Sequence, residues 1–95
     1  MKVYRHGDII FREVSQLPKG TVTNLGTKFE QHGETGKMHV LDGVRVEQVG
    51  DIKFVTTLED DCAVYHPEHP PLTLPAHKTF KVERVRTVEH HEYVD

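Results

Sequence analysis

A chain of 95 residues with 36% hydrophobic side chains can bury one modest core, so we expect a single domain spanning residues 1–95. Its 12 basic and 15 acidic residues give a formal net charge of −3, which lacks the basic field of a protein that binds long nucleic acid. Protonation of all eight histidines would move that charge from −3 to +5, so the surface potential should reverse in acid.

The cellular location is indicated by cysteine content and hydropathy. Cys62 is the only cysteine, which excludes an intrachain disulfide and fits a reducing cytoplasm. The first residues lack the apolar segment of a signal peptide, and no stretch of the sequence is long and apolar enough to span a membrane. We therefore expect a cytoplasmic protein.

The first segments of the chain predict short strands separated by turns, which is typical of an all-β fold. Residues 8–14 are rich in isoleucine and phenylalanine and are followed by the turn sequence Leu17-Pro18-Lys19-Gly20. Residues 21–30 are polar and rich in threonine, which favours an edge strand.

A three-strand meander is the strongest local prediction. Asp42-Gly43 and Gly50-Asp51 lie between apolar segments, and such pairs supply the positive φ angle of a two-residue hairpin turn. The predicted strands are 38–41, 44–49 and 52–58.

These turns determine which residues face each other across the meander. The first turn pairs Leu41 with Val44. It therefore places His39 opposite Val46, which the second turn pairs with Val55. These five residues share one face, and the other face carries Met38, Val40, Val49, Ile52, Phe54 and Leu58. Because both faces are partly apolar, we expect a small barrel or sandwich built around the meander.

The segment 79–88 is compatible with two structures. Val82, Val85 and Glu89 have a spacing that suits a helix, whereas the valine and threonine content favours a strand with a bulge near Arg84. Residues 90–95 form a polar tail.

Two short stretches, residues 32–39 and 66–71, concentrate histidine among carboxylates, glycines and prolines. Imidazole beside carboxylate in a constrained backbone is what a metal site or a proton-transfer site requires. His39 lies on the apolar face, where a buried ring must satisfy both nitrogens. It is therefore either a core histidine bonded to backbone or a contact to a ligand or metal.

The loop before His39 admits two interpretations. Glu34 is either a solvated carboxylate or a side chain that reaches back toward the strand of His39. Thr35 and Gly36 could present backbone N–H groups to an anion, to which Lys37 would add a positive charge.

The second stretch also has two interpretations. His66 and His69 are three residues apart, close enough to bind one ion if the chain turns between them. Alternatively, Pro67, Pro70 and Pro71 make the stretch a rigid connector between strands. The spacing lacks the helix of a zincin motif and the cysteine pairs of a zinc finger.

The other notable side chains are not predicted to belong to a site. Cys62 is expected to be a small buried hydrophobe. The histidines expected at the surface are His6, His77, His90 and His91. No nucleophilic triad, P-loop or dinucleotide fingerprint is present in the sequence, so we assign no catalytic residue.

The order of these segments resembles a family of small β-rich proteins common in phages and mobile elements. Members open with His-Gly-Asp before an apolar strand. They continue with Gly-Glu-x-Thr-Gly-His-x-His, His-x-Glu-His-x-Pro, a Leu-Pro pair and an arginine-rich strand. This chain has corresponding segments at 6–8, 33–39, 66–71, 74–75 and 81–86. The resemblance implies a viral accessory protein in the host cytoplasm, and it says little about activity.

The chain departs from that pattern at Lys37, which stands where the first histidine of His-x-His is usual. If the pair bound a metal, a cation in place of one ligand would weaken binding. Cupin metal sites also begin with His-x-His on a β-barrel, but the likeness to cupins is limited to β-strands and clustered histidine and glutamate.

These observations favour a non-catalytic protein that binds a small, anionic, nucleotide-like ligand. Sequestration of a host signalling nucleotide is one form of this function. The predicted ligand-binding residues are Glu34, Lys37, His39, His66 and His69.

Two alternatives remain. The first is a cupin-like enzyme that holds a divalent transition metal through His39, His66, His69 and Glu34. The second is a structural or host-factor-binding module whose histidines stabilise loops. We expect a homo-oligomer whose partner is a small molecule or a host protein, rather than long nucleic acid or a membrane.

Overall fold

The computed structural model describes residues 1–33 and 36–85, and within them every regular element is a β-strand. The prediction of an all-β fold is therefore confirmed. The strands are β1 Val3–His6, β2 Ile9–Val14, β3 Val22–His32, β4 Met38–Val49, β5 Ile52–Thr56, β6 Cys62–His66, β7 His69–Leu74 and β8 Thr79–Arg84.

The strands form one antiparallel sheet in the order β1-β2-β8-β5-β4-β6-β7, with β3 paired to β4 outside this path. The sheet curls until its terminal strands β1 and β7 approach each other, which gives a nearly closed barrel. Strand β4 is the longest element, and it pairs with β3, β5 and β6. It is therefore the strand that links the two halves of the barrel.

The core of the barrel is a cluster of aliphatic side chains around three phenylalanines, Phe11, Phe29 and Phe80. The rings of Phe11 and Phe29 meet edge to face, with their centroids 5.9 Å apart. The face predicted from the meander is buried as expected, because its members are at most 2% exposed. They are His39, Leu41, Val44, Val46 and Val55.

The predicted hairpin at Asp42-Gly43 is wrong, because β4 continues through these residues. Asp42 pairs with Lys28 of β3, and the next pair joins Val46 to Gly26. Three residues of β4 thus oppose a single residue of β3, which is a bulge, and Gly43 adopts a φ of 75° there. The second predicted turn, at Gly50-Asp51, is confirmed.

The bulge explains why the buried face was predicted correctly from an incorrect turn. In a regular strand, Leu41 and Val44 would point to opposite faces because they are three residues apart. A two-residue hairpin and this bulge both reset the alternation, so both place the two side chains on the same face. The pairing of Val46 with Val55 is as predicted, whereas His39 lies opposite Gln31 rather than Val46.

The proline-rich stretch is part of a hairpin rather than a connecting loop. His66 ends β6 and pairs with His69, which begins β7, so only Pro67 and Glu68 form the turn. Within the described residues, β7 pairs along one edge only, with β6. Prolines, which lack a backbone N–H group, are tolerated on such an edge strand.

The carboxyl-terminal prediction of a strand is confirmed for Thr79–Arg84, which pairs with β2 and β5. Residues 86–95, including His90 and His91, lie outside the described residues. No helix in the described part of the chain is long and apolar enough to cross a membrane.

The bulge in β4 can be tested at Gly43, where an added Cβ would meet no heavy atom within 4 Å. Gly43→Ala should lower the free energy of unfolding by about 1 kcal/mol, because an L-residue is strained at positive φ. Gly43→Asn is the matched variant, and it should cost less because asparagine tolerates this conformation. Urea denaturation of the two variants measures the difference, and equal costs would contradict a φ-based origin.

Candidate functional site

Four imidazoles meet at one end of the barrel, and we call His6, His39, His66 and His69 the histidine cluster. The pairing of Val40 with Tyr65 places His39 of β4 beside His66 of β6. Ring centroids are 4.4 Å apart for His39 and His66, and 4.6 Å apart for His66 and His69. His6, at the end of β1, lies with its ring 5.1 Å from that of His39.

Asp8 joins the cluster through the turn between β1 and β2. His6 pairs with Ile9, and the intervening Gly7 has a φ of 62°, as the first residue of a type II′ turn requires. Asp8 is 8% exposed, and its Oδ1 lies 3.3 Å from Nε2 of the fully buried His39. Its Oδ2 lies 3.8 Å from Nε of Arg84.

His6 links the two terminal strands of the barrel. Its Nε2 lies 2.9 Å from the carbonyl oxygen of Pro70 in β7, which can only accept a hydrogen bond. Because Pro70 and Pro71 have no backbone N–H group, β7 cannot donate through them to a neighbouring strand. The side chain of His6 supplies a hydrogen bond across this seam.

His39, His6 and the carbonyl oxygen of Pro70 form a chain of hydrogen bonds. Because this carbonyl can only accept, it determines the tautomers of both buried rings when the rings are neutral. His6 donates from Nε2 to Pro70, so its Nδ1 is an acceptor. His39 Nδ1 lies 3.0 Å from that atom and must therefore donate to it. Nε2 of His39 is then left with a lone pair, which faces the Asp8 carboxylate.

The unpaired atoms agree with this assignment of protons. Within residues 1–33 and 36–85, the fully buried side-chain polar atoms without a hydrogen bond are His39 Nε2 and Asp8 Oδ2. A buried polar atom without a partner costs about 1–3 kcal/mol. Of these two atoms, Nε2 belongs to the Asp8–His39 contact, whereas Oδ2 lies on the side of Arg84.

Burial keeps both rings neutral at pH 7. The pKa of His39 is lowered to about 4 by burial and by the neighbouring His66 and His6, against an opposing effect of Asp8. The pKa of His6 is lowered by burial and by His69 and His66, although its bond to Pro70 acts in the opposite direction.

The cluster packs closely against two glycines. A Cβ at Gly33 would lie 2.8 Å from Nε2 of His39 and 3.1 Å from Oδ1 of Asp8. A Cβ at Gly7 would lie 2.6 Å from Nε2 of His69 and 3.1 Å from Cε1 of His39. Any larger residue would displace these polar groups, so the position of the His39 ring depends on both glycines.

His66 is held by its own turn, because the backbone N–H of Glu68 donates to its Nδ1 over 3.0 Å. A neutral His66 ring then carries its proton on Nε2 and is a donor there. In this tautomer, Nε2 of His66 has no lone pair to offer a metal ion.

Lys37 lies at the rim of the cluster and forms an ion pair with Glu68, with 3.3 Å between Nζ and Oε2. The two residues tie the start of β4 to the β6–β7 turn. Beside them is an open cleft of about 560 Å³, which is lined by Gly36, Lys37, Met38, Val40, Tyr65, His66 and Pro67.

The structure brings together three predicted site residues, His39, His66 and His69, with Lys37 at their edge. Glu34 lies outside the described residues. Across residues 1–33 and 36–85, no three histidine, cysteine or carboxylate side chains converge closely enough to hold a metal ion in this conformation.

The expectation that His6 lies at the surface is wrong, because β1 places it at the seam and leaves it 3% exposed. Asp8 was not among the predicted site residues. The Gly7-Asp8 pair before an apolar strand is itself a hairpin signal, and it would have placed Asp8 in a tight turn directly after His6. His77 is exposed as predicted.

Cys62 is only half-buried, although it packs against the core as predicted for a small hydrophobe. Its thiol donates to the carbonyl oxygen of Asp42, and burial raises its pKa. The thiol is therefore protonated at neutral pH and is a weak nucleophile.

Comparison with known proteins assigns the chain to a family. A family model described as "Domain of unknown function (DUF8820)" matches residues 5–85. The chain belongs to this family. The span shared with the DUF8820 family includes Asp8 and the whole histidine cluster. No curated protein and no solved structure matches the chain.

The buried rings predict a loss of stability in acid, measured with chelator present. The folded-state pKa of His39, about 4, is below its ordinary value of 6.5, so the unfolded chain binds the proton first as pH falls. The contribution of the neutral ring to the free energy of unfolding is fully present above about pH 6.5. The free energy of unfolding should fall by about 3 kcal/mol toward pH 4. Urea denaturation at pH 7 and pH 4.5 measures the change.

His39→Gln should reduce this pH dependence, whereas the exposed control His77→Asn should leave it unchanged. An NMR titration of the wild-type ring provides a check that needs no variant. A midpoint for His39 near 6.5 would contradict the prediction.

Proposed function

We propose that the protein binds a small aromatic anion, such as a nucleoside phosphate, in the cleft in front of the histidine cluster. The observation that supports this proposal best is the composition of the cleft, in which Lys37 and His66 lie beside the exposed ring of Tyr65. A cation, a hydrogen-bond donor and an aromatic surface are the groups that recognise such a ligand.

The size of the cleft fits this ligand class. Its volume of about 560 Å³ lies within the range of about 300–1,000 Å³ that is usual for small-molecule sites. Met38, Val40 and Pro67 supply an apolar lining. The charged and polar groups at its edge would orient the ligand.

Tyr65 supplies the stacking surface in this proposal. It is 59% exposed, although it is a large aromatic residue, the penultimate one of β6. Aromatic side chains bind bases by stacking, with about 1–3 kcal/mol per base.

Lys37 can exchange its present partner for the ligand. Its ion pair with Glu68 joins two side chains that are about half exposed, and such pairs contribute about 0–1 kcal/mol. A phosphate group carries more charge than a carboxylate, so displacement of Glu68 would cost little.

The contacts differ from the set expected from the sequence. His39 has no exposed surface and does not line this cleft, so a ligand there would not touch it. His69 instead lines a second cleft of about 350 Å³ together with Arg5 and His6. We therefore assign the ligand to Lys37, Tyr65 and His66.

The broader expectations remain predictions. They are an accessory role in a phage or mobile element, a cytoplasmic location, a homo-oligomeric state and the absence of long nucleic acid among the partners. The cupin-like enzyme and the host-factor-binding module also remain predictions.

The proposal is tested by titrating the full chain with AMP, followed by calorimetry and by backbone amide NMR. AMP should shift the amide resonances of residues 36–40 and 65–66, and adenosine and inorganic phosphate should each bind more weakly. Tyr65→Ala should weaken binding by about tenfold or more. Leu25→Ala, which also truncates an exposed apolar residue, should have no effect.

The ion pair of Lys37 and Glu68 provides a second test, because removing either charge should change AMP affinity in opposite directions. Lys37→Gln should weaken AMP binding, while Glu68→Gln should strengthen it because Lys37 loses its competing partner. Lys19→Gln serves as a control for a change of surface charge. If no nucleotide or other aromatic anion in a panel shifts these amides, the proposal is wrong.

A further inference from the structure

We propose that Nε2 of His39 and the carboxylate of Asp8 bind a divalent transition-metal ion of the zinc class between them. This site is distinct from the cleft of Lys37 and Tyr65, and it does not depend on the function proposed for that cleft. Neither Asp8 nor a pair of this kind was expected from the sequence.

The unpaired acceptors are the main support for a cation. His39 is fully buried and Asp8 is 8% exposed, yet Nε2 of one and Oδ2 of the other have no hydrogen bond in the described residues. The lone pair of Nε2 faces Oδ1 of Asp8, so two acceptors face each other in a poorly solvated place. A positive ion between Nε2 and Oδ1 would satisfy Nε2, whereas Oδ2 faces the guanidinium of Arg84.

The separation of the two atoms suits one metal ion. Nε2 and Oδ1 are 3.3 Å apart. Zinc binds imidazole nitrogen at about 2.0–2.1 Å and carboxylate oxygen at about 2.0–2.2 Å, so two tetrahedral ligands lie about 3.4 Å from each other. The pair therefore needs little movement to become a coordinating pair.

The other nitrogen of His39 is bonded as in a metal-binding histidine. A ligating imidazole usually donates its second N–H to a fixed acceptor, which sets the tautomer and the ring orientation. His39 donates from Nδ1 to His6, and His6 donates in turn to the carbonyl of Pro70. These two hydrogen bonds hold the lone pair of His39 Nε2 toward Asp8.

Gly33 packs closely against one side of the pair, and Arg84 supplies charge on the other. Gly33 has no Cβ to fill the space next to Nε2 and Oδ1. Arg84 approaches the opposite oxygen, Oδ2, and its guanidinium also donates to the carbonyl of His32. Oδ1 is thereby left to face His39.

The chain provides two ligands in the present conformation, so the site should bind metal with moderate affinity. The exposed His69 is the nearest further imidazole, because its Nε2 and Cε1 of His39 border the same space next to Gly7. Rotation of His69 or bound water would complete the coordination.

The experiment uses the full untagged chain, first treated with chelator and then titrated with zinc chloride. Calorimetry should give one site per chain. NMR of the imidazole nitrogens should show the Nε2 resonance of His39 shifting while Nδ1 keeps its proton. This readout uses the wild-type protein, so it does not depend on a variant that folds.

Asp8→Asn tests the second ligand. The fold should persist, because the amide group of asparagine can donate to Nε2 of His39, while zinc affinity should fall by at least about tenfold. Asp51→Asn, at the turn between β4 and β5, is the matched control and should bind as the wild type does. The double variant His90→Gln, His91→Gln should also retain the site.

Three outcomes would overturn the proposal. Zinc could fail to bind with one site per chain, or its binding could survive in folded Asp8→Asn. Alternatively, the shift could be confined to His66, His69 or the tail while His39 keeps a proton on Nε2, which would show that a proton rather than a metal ion occupies the pair.

Discussion

The hydrogen-bond chain from His39 through His6 to Pro70 is the interaction on which the site depends. It crosses the seam of the barrel where proline removes backbone donors from β7, and it joins β4, β1 and β7 through side chains. The same chain fixes the tautomers of both rings. The same hydrogen bonds therefore help to close the barrel and set the protonation of His39 beside Asp8.

This chain of hydrogen bonds also separates two environments that the sequence presents as one histidine-rich region. His39 and Asp8 lie inside, where burial lowers the pKa of His39 and leaves a lone pair facing a carboxylate. Lys37 and Tyr65 lie outside, where solvent screens charge and an aromatic ring is accessible. We propose a cation for the inner pair and an anion for the outer cleft.

The sequence predicted the fold class and the buried face of β4, because alternation and positive-φ glycines are local signals. It could not distinguish a hairpin at Gly43 from a bulge, since both need the same φ and only pairing with β3 decides between them. His6 was placed at the surface because its burial depends on β7, more than sixty residues away. Lys37 was expected to contact an anion, and its pairing with Glu68 depends on the later β6–β7 turn.

The protonation state of His39 in the metal-free protein tests this account most directly. NMR of the imidazole nitrogens at pH 7 distinguishes a ring protonated on Nδ1 from one protonated on Nε2. We expect a neutral His39 with its proton on Nδ1, shared with His6, and none on Nε2. A proton on Nε2 directed at Asp8 would contradict it.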